Sequence, residues 1–301
     1  MITLLAGGLD TLKILSGMRC ILDDHHVTII CSTADGRWGP SGLALPGIDR
    51  VIYLYAGILN ERTWQGIDGD TLVTANVLER TGHPEYPAYG DRERALHILR
   101  SSLLDEGRTL TDAVIASAAG YHVEGSVLPV ADRIPETLIS TDSGDSLSVP
   151  DYFEVYGEER QEHGSSLILF RPPPATDSAL RAVRDADVVI IGPGRPVTSI
   201  VPILACKGMP ETLERAKVIA YAPYTRERAA AWREKRYENP DHMTLPLFGK
   251  YADIIIADTK DPAIIDGSLR LDTRTDTKRQ RESHAWDLLA TARSLSSTGR
   301  L

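Results

Sequence analysis

Short apolar runs alternate with segments of helical periodicity along nearly the whole chain. Residues 2–6, 27–31, 188–191, 218–222 and 254–257 are β-branched or aliphatic stretches closed by glycine, proline or polar residues. Such unbroken runs predict strands buried on both faces, as in parallel sheets. Between them, Leu12, Leu15, Met18 and Leu22 recur at helical spacing. Thr109-Leu110-Thr111-Asp112 reads as a capping box, with Asp in place of Glu, opening a helix through Ala119. Helices are also expected over 70–80, 176–186, 209–216 and 224–238, and terminally around Trp286, Leu289 and Ala290. In the helix after Gly90, Asp91 is the expected cap and Leu96, Leu99 and Ala95 the inward face, with Glu93 and Arg94 as solvated ion-pairing residues. Residues 136–170 break the pattern into short alternating segments, 137–141, 146–149 and 152–155, which predict a small antiparallel excursion. The expectation is one three-layer α/β/α domain over 1–301, its sheet mostly parallel and closed by 254–257, with 133–172 as a β-rich insertion.

The stretch Asp187 to Ile200 is the expected hub, because its strand runs into Gly192-Pro193-Gly194 and then Thr198 and Ser199. Ligands of open α/β sheets bind beyond the carboxyl ends of strands, where glycine turns let a phosphate approach backbone amides. Gly7-Gly8, followed by Thr11 and Lys13, is a second turn of this kind at the start of a helix. Either turn also reads as a plain strand, turn and cap with no ligand.

Other candidates are scattered. Trp38 lies in a long polar loop and serves either to stack on a ring or to cover the sheet. Asp49 is read as an N-cap, a hydrogen-bond acceptor for a ligand, or a holder of a divalent cation. Asp91, Arg92 and His97 mark the mouth and one face of a helix, with Arg100 sharing the neighbouring face of His97, and Asp132 follows a strand.

The net charge of −9 argues against a general nucleic-acid surface. Cys20, Cys31 and Cys206 have neither disulfide-framework nor zinc spacing, which fits a reducing cytoplasm. The apolar start is cut at Gly7-Gly8, so it reads as a strand rather than a membrane segment.

Taken in order, several segments resemble the 2-phospho-L-lactate transferase (CofD) family. They are Gly7-Gly8 with Thr11 and Lys13; Thr33-Ala34 with Trp38; Pro46 with Asp49; Gly90-Asp91-Arg92-Glu93-Arg94-Ala95 with His97-Ile98 and Arg100-Ser101; Leu110-Thr111-Asp112; Leu128-Pro129 with Asp132; and Ile191-Gly192-Pro193 with Pro196, Thr198-Ser199-Ile200 and Pro202. The resemblance implies a Rossmann-like fold, a homodimer, and transfer of a phospholactyl or related phospho-acyl group from a guanosine diphosphate conjugate to the deazaflavin Fo. GMP is released and Mg²⁺ is required, on residues the resemblance does not fix. It implies phosphate binding by Gly7, Gly8, Thr11, Lys13, Gly192, Gly194, Thr198 and Ser199. Acceptor binding falls to Asp49, Arg92, His97 and Trp38, and orientation of the attacking hydroxyl to Asp91 and Asp49. The chain departs from the family at Leu9-Asp10-Thr11-Leu12, which stands where the family has Thr-Gly-Thr-Pro. The alternative is a non-catalytic nucleotide or nucleotide-sugar binding regulator on the same fold. A nicotinamide oxidoreductase ranks below both, because G-x-G-x-x-G is absent.

Overall fold

In the computed structural model, residues 1–85, 87–140, 144–156, 166–169, 172–194, 199–222, 250–261 and 267–297 are described. The apolar runs become the strands β1 (Ile2–Ala6), β2 (Val27–Cys31), β5 (Ser126–Pro129), β9 (Val188–Ile191), β10 (Val218–Tyr221), β11 (Ile254–Asp258) and β12 (Leu269–Leu271). They form one sheet in the order β12-β11-β10-β9-β1-β2-β5, with every neighbouring pair parallel. β11 was expected to close the sheet. Instead β12 pairs beyond it, a strand of three residues with too little periodicity to announce itself.

Alternation of side chains sorts the core into two layers. Leu4, Ile29 and Ile190 point to one face, and Leu5, Ile30 and Ile191 to the other. The first face is covered by α1 (Gly8–Met18), α2 (Pro46–Tyr55), α5 (Leu110–Gly120) and α10 (Lys278–Ser297). The second is covered by α7 (Asp177–Arg184), α8 (Val201–Leu204) and α9 (Met209–Leu213). The architecture is three-layer α/β/α.

The order of strands places a switch point between β1 and β9. From β1 the chain winds outward to β2 and β5, and from β9 it winds the other way to β10, β11 and β12. Both glycine turns therefore leave the sheet side by side, at the place where open α/β sheets leave a crevice.

Small elements complete the fold. β3 (Arg37–Gly39) and β4 (Gly42–Ala44) form a hairpin after β2. β7 (Ser146–Ser148), β6 (Thr137–Ser140) and β8 (Ser166–Leu169) form an antiparallel sheet within 133–172. The stretch 152–155, expected as a strand, lies in the helix α6 (Val149–Tyr156). Tyr152 and Val149 pack there on Ala34 and Ile139, so helical spacing wins over β propensity. The helix over 70–80 is α3 (Val73–Arg80), and the one after Gly90 is α4 (Asp91–Asp105). The Thr109 capping box forms as read, its hydroxyl accepting from Asp112 N at 3.0 Å. In α10, Trp286 and Ala290 face outward, and Ala285, Leu288, Leu289 and Ala292 make the packed stripe. The helix expected over 224–238 lies outside the described residues. Among the described residues no helix is long and apolar enough to cross a membrane.

The turns at the switch point touch each other. A Cβ on Gly194 would run into the Gly7 carbonyl and Cα, and one on Gly7 would sit 2.6 Å from Ile200 Cδ1. Replacing Gly194 with Ala is therefore expected to push the turns apart and lower stability by about 1–3 kcal/mol, read as a lower midpoint in urea, while Gly39→Ala, with open space around it, leaves the midpoint unchanged.

Candidate functional site

The crevice at the switch point is built from one threonine outward. Thr11 is buried in the first turns of α1, and its hydroxyl donates to Pro193 O at 2.5 Å while accepting from Gly7 N at 3.1 Å. A residue expected to touch phosphate thus ties the two loops together. Gly192 owes its lack of a side chain to the same hydroxyl, since a Cβ there would lie 2.7 Å from Thr11 Oγ1.

The N-cap of α1 is Gly7, which has no side chain to cap the first-turn amides. Gly8 sits at φ +71°, a conformation that favours glycine. Lys13 is half-buried on the same helix and makes no ion pair among the described residues. Asp10 is exposed in the first turn and sets a negative charge against the positive helix end. Ser199 is half-buried next to Ile200, whereas Thr198 lies outside the described residues.

The loop after β2 borders this crevice. Asp35 Oδ2 accepts from Gly47 N at 2.7 Å, Ser32 Oγ accepts from Ala34 N at 3.1 Å, and Thr33 Oγ1 donates to Arg133 O at 3.0 Å. Trp38, on the hairpin, is 58% exposed and ready to stack on something outside the fold. Asp132, at the carboxyl end of β5, accepts from Thr111 N and Oγ1 at 2.8 and 2.7 Å.

Asp91 and Arg92 lie elsewhere. Helix α5 starts beside Asp132, at the carboxyl edge of the sheet, and ends at Tyr121, before β5 begins. Arg92 stands close enough to Tyr121 to oppose the rise that burial imposes on that phenol's pKa. Ser101, toward the C-terminal end of α4, bonds to the β4 hairpin; Asp91 is ten residues, or about 15 Å of helix, away. The α4–α5 hairpin therefore carries Asp91 and Arg92 toward the edge of the sheet where β5 begins. Nor does Asp91 cap its own helix. Gly90 is the N-cap, and the Asp91 carboxylate caps α3, accepting from Thr71 Oγ1 at 2.5 Å and from Val73 N and Thr74 N at 3.0 Å each. Those bonds, Thr71's first, hold its pKa below the usual carboxylate range.

Asp49 is not the N-cap of a short segment but lies in the first turn of α2, which starts at Pro46. It is 2% exposed. Its carboxylate accepts from Leu45 N at 3.0 Å, pairs with both terminal nitrogens of Arg100, and lies 3.4 Å from His97 Nε2. Arg100 also donates to Leu43 O at 2.8 Å. One buried carboxylate thus joins α2, the β4 hairpin and α4. The inward face of α4 is accordingly polar: Arg94, Leu96, His97 and Arg100 are buried, while Leu99 and Ala95 are out. Arg94 does not form a solvated pair with Glu93. It is buried against Glu85, and Glu93 accepts from Gly90 N at 2.9 Å.

Tyr53 and Tyr89 complete this layer and were missed in the sequence. Tyr89 meets the His97 ring edge-on at 4.7 Å. Burial, then the negative charge of Asp49, raises both phenols. The hydroxyls of Tyr53 and Tyr89, His97 Nδ1 and Arg100 Nε are buried with no hydrogen-bond partner among the described residues.

Burial by itself pushes the Asp49 carboxyl up, but Arg100 and then His97 outweigh it, so its pKa ends below the usual value. A depressed carboxylate stabilises the fold above its unfolded pKa of about 4 and loses that contribution as acid protonates it. Asp49→Ala, which strands Arg100 in the interior, is expected to cost about 3–5 kcal/mol in chemical denaturation at neutral pH. Stability of the parent should fall as the pH drops below about 4, and the difference between the two proteins should shrink along with it.

Comparison with known proteins follows this geometry. Residues 2–290 match the family described as 2-phospho-L-lactate transferase CofD. A 2-phospho-L-lactate transferase of Methanospirillum hungatei is 37% identical over 282 residues, covering 91% of this chain and 94% of that one. One from Methanocorpusculum labreanum is 35% identical over 302 residues, covering 96% and 98%. Among solved structures, a UPF0052 family protein of Bacillus halodurans aligns with a TM-score of 0.57 at 17% identity, over 88% of this chain and 81% of its own, a likeness of fold alone. With the fold, the paired glycine turns and the matched length in agreement, the chain belongs to the 2-phospho-L-lactate transferase CofD family.

Proposed function

We propose that this protein transfers a phospholactyl or related phospho-acyl group from a guanosine diphosphate conjugate to the ribityl hydroxyl of the deazaflavin Fo, releasing GMP, in coenzyme F-420 biosynthesis. Family membership supports the reaction class. The observation that carries the site is the pair of touching glycine turns at the switch point, beside the uncapped N-terminus of α1. First-turn amides of α1 and the Lys13 ammonium would take the diphosphate oxygens. The acceptor oxygen attacks the phosphorus that carries the lactyl ester, the bridging P–O bond breaks, and GMP leaves with the electron pair. The hydroxyl proton passes to solvent or a carboxylate. The fold's contribution is positioning and charge stabilisation.

Mg²⁺ fits this site in one way only. Among the described residues no three His, Cys, Asp or Glu side chains cluster as a cage. A single carboxylate sharing the ion with substrate phosphates is a normal magnesium mode, and Asp10, exposed at this helix end and already engaged in a contact of its own, would be that carboxylate. When bound there, the ion would neutralise charge on the diphosphate. For the acceptor, exposed Trp38 is the stacking candidate, and Asp49 with His97 would act by holding the hairpin that bears it.

The displacement of Asp91 and Arg92 from the crevice, with Asp49 sealed inside, favours a second reading, a nucleotide-binding protein of this fold without turnover. Incubation with Fo, the guanylylated donor and Mg²⁺, followed by mass spectrometry, should yield the phospho-acylated deazaflavin and GMP in equal amounts. A thermal shift with GDP but no product would select the second reading, and neither signal would remove both. Lys13→Ala should weaken GDP binding by roughly tenfold, the weight of one charge-assisted contact, with the melting temperature of the free protein unchanged.

A further inference from the structure

The segment that follows β5 is held more firmly than a surface loop requires. Val130 N donates to Cys31 O at 2.9 Å, and Val130 and Ala131 are buried. The Thr33 hydroxyl, on a residue with no exposed surface, donates to Arg133 O at 3.0 Å. Ile134 then lies against Gly36, where a Cβ would sit 2.8 Å from Ile134 Cδ1. Asp132, on the other side, is tied to the start of α5 through Thr111 N and Oγ1. The backbone at position 133 is therefore fixed from before, from after and through its own carbonyl.

The side chain carried by this fixed backbone is a cation that the fold does not use. Arg133 is exposed, and its guanidinium makes no hydrogen bond or ion pair among the described residues. A charged group whose backbone is already ordered is preorganised for an anion, because less freedom is lost when the anion arrives. Its place narrows the choice of anion. Arg133 follows the carboxyl end of β5, and β2 alone separates β5 from β1. Two strand spacings set this loop about 10 Å from the turn that leaves β1, across the Thr33–Gly36 turn that borders the crevice.

In the transfer reading the donor carries a diphosphate and, a few bonds beyond its reacting phosphorus, the free carboxylate of the acyl group. The diphosphate goes to the α1 amides and Lys13. The carboxylate is poorly placed at that end, because Asp10 already sets a negative charge in the first turn of α1. On the β5 side of the crevice it meets the opposite sign.

Resting on that reading, we propose that Arg133 binds the free carboxylate of the donor's acyl group. The planar guanidinium takes both carboxylate oxygens through parallel N–H bonds. It selects a phosphorylated hydroxy acid over an uncharged ester of the same shape, while recognition of the diphosphate is left to α1 and Lys13.

Titration calorimetry of the full chain with the guanylylated donor, its carboxyl methyl ester and GDP tests this division. The parent protein is expected to bind the donor about tenfold more tightly than the ester, the weight of one charge-assisted pair. Arg133→Gln should bind the two alike, and Arg133→Lys should recover part of the difference, because an ammonium keeps the charge and loses the fork. GDP affinity and the melting temperature of the free protein stay the same in both variants, whereas Lys13→Ala weakens all three ligands. An Arg133→Gln protein that keeps the tenfold preference, or that loses GDP as fully as the donor, overturns the proposal. A parent that makes product yet binds donor and ester equally overturns it and leaves the transfer reading in place. A preference for the donor without any product does the reverse, and a parent that binds no form of the donor removes both.

Discussion

One hydroxyl holds the carboxyl edge of this fold together at the switch point. Thr11 bonds the turn that leaves β9 while closing the turn that leaves β1, and the two turns approach so tightly that neither tolerates a Cβ. Strand order makes that bond possible, because β1 and β9 are neighbours although 182 residues separate the bonded partners. A crevice opens there because the chain winds away in both directions. The glycines therefore serve two ends at once. They let loop meet loop, and they leave helix α1 with a bare N-terminus beside the gap.

A second constraint works inside the first layer of helices. A sealed carboxylate needs its charge met, and Asp49 meets it with Arg100, the Leu45 amide and His97. This cluster fixes the rotation of α4 and hence the hairpin that presents Trp38. The cost is a polar layer with several atoms lacking a hydrogen-bond partner among the described residues. It also explains why residues with the chemistry of an active site sit beneath the surface. Buried ion pairs specify which of several packings is adopted, even where they add little net stability.

These two features divide the labour of the proposed transferase. In that proposal the switch point would supply amides and a cation for a diphosphate, and the Asp49 cluster would hold the hairpin that carries Trp38. At the crevice Asp10 places a negative charge in the first turn of α1, at the helix end that would attract an anion.

The sequence by itself determined the strands, because runs such as Val188 to Ile191 are too apolar to be anything but interior sheet. It also determined the Thr109 capping box and the glycine turns, since local geometry limits which residues can stand there. What it left open were matters of facing and of distance. Leu99 looked like core and Arg94 like surface, and the reverse holds because Asp49, 51 residues away from Arg100, rotates α4 to bring charge inward. Asp91 looked like a cap for its own helix and became the cap of α3. Short elements without full periods, β12 and α6, were settled by the neighbours they pack on. Local pattern fixes what a segment can be, and only the assembled fold decides which charge each side chain finds opposite it.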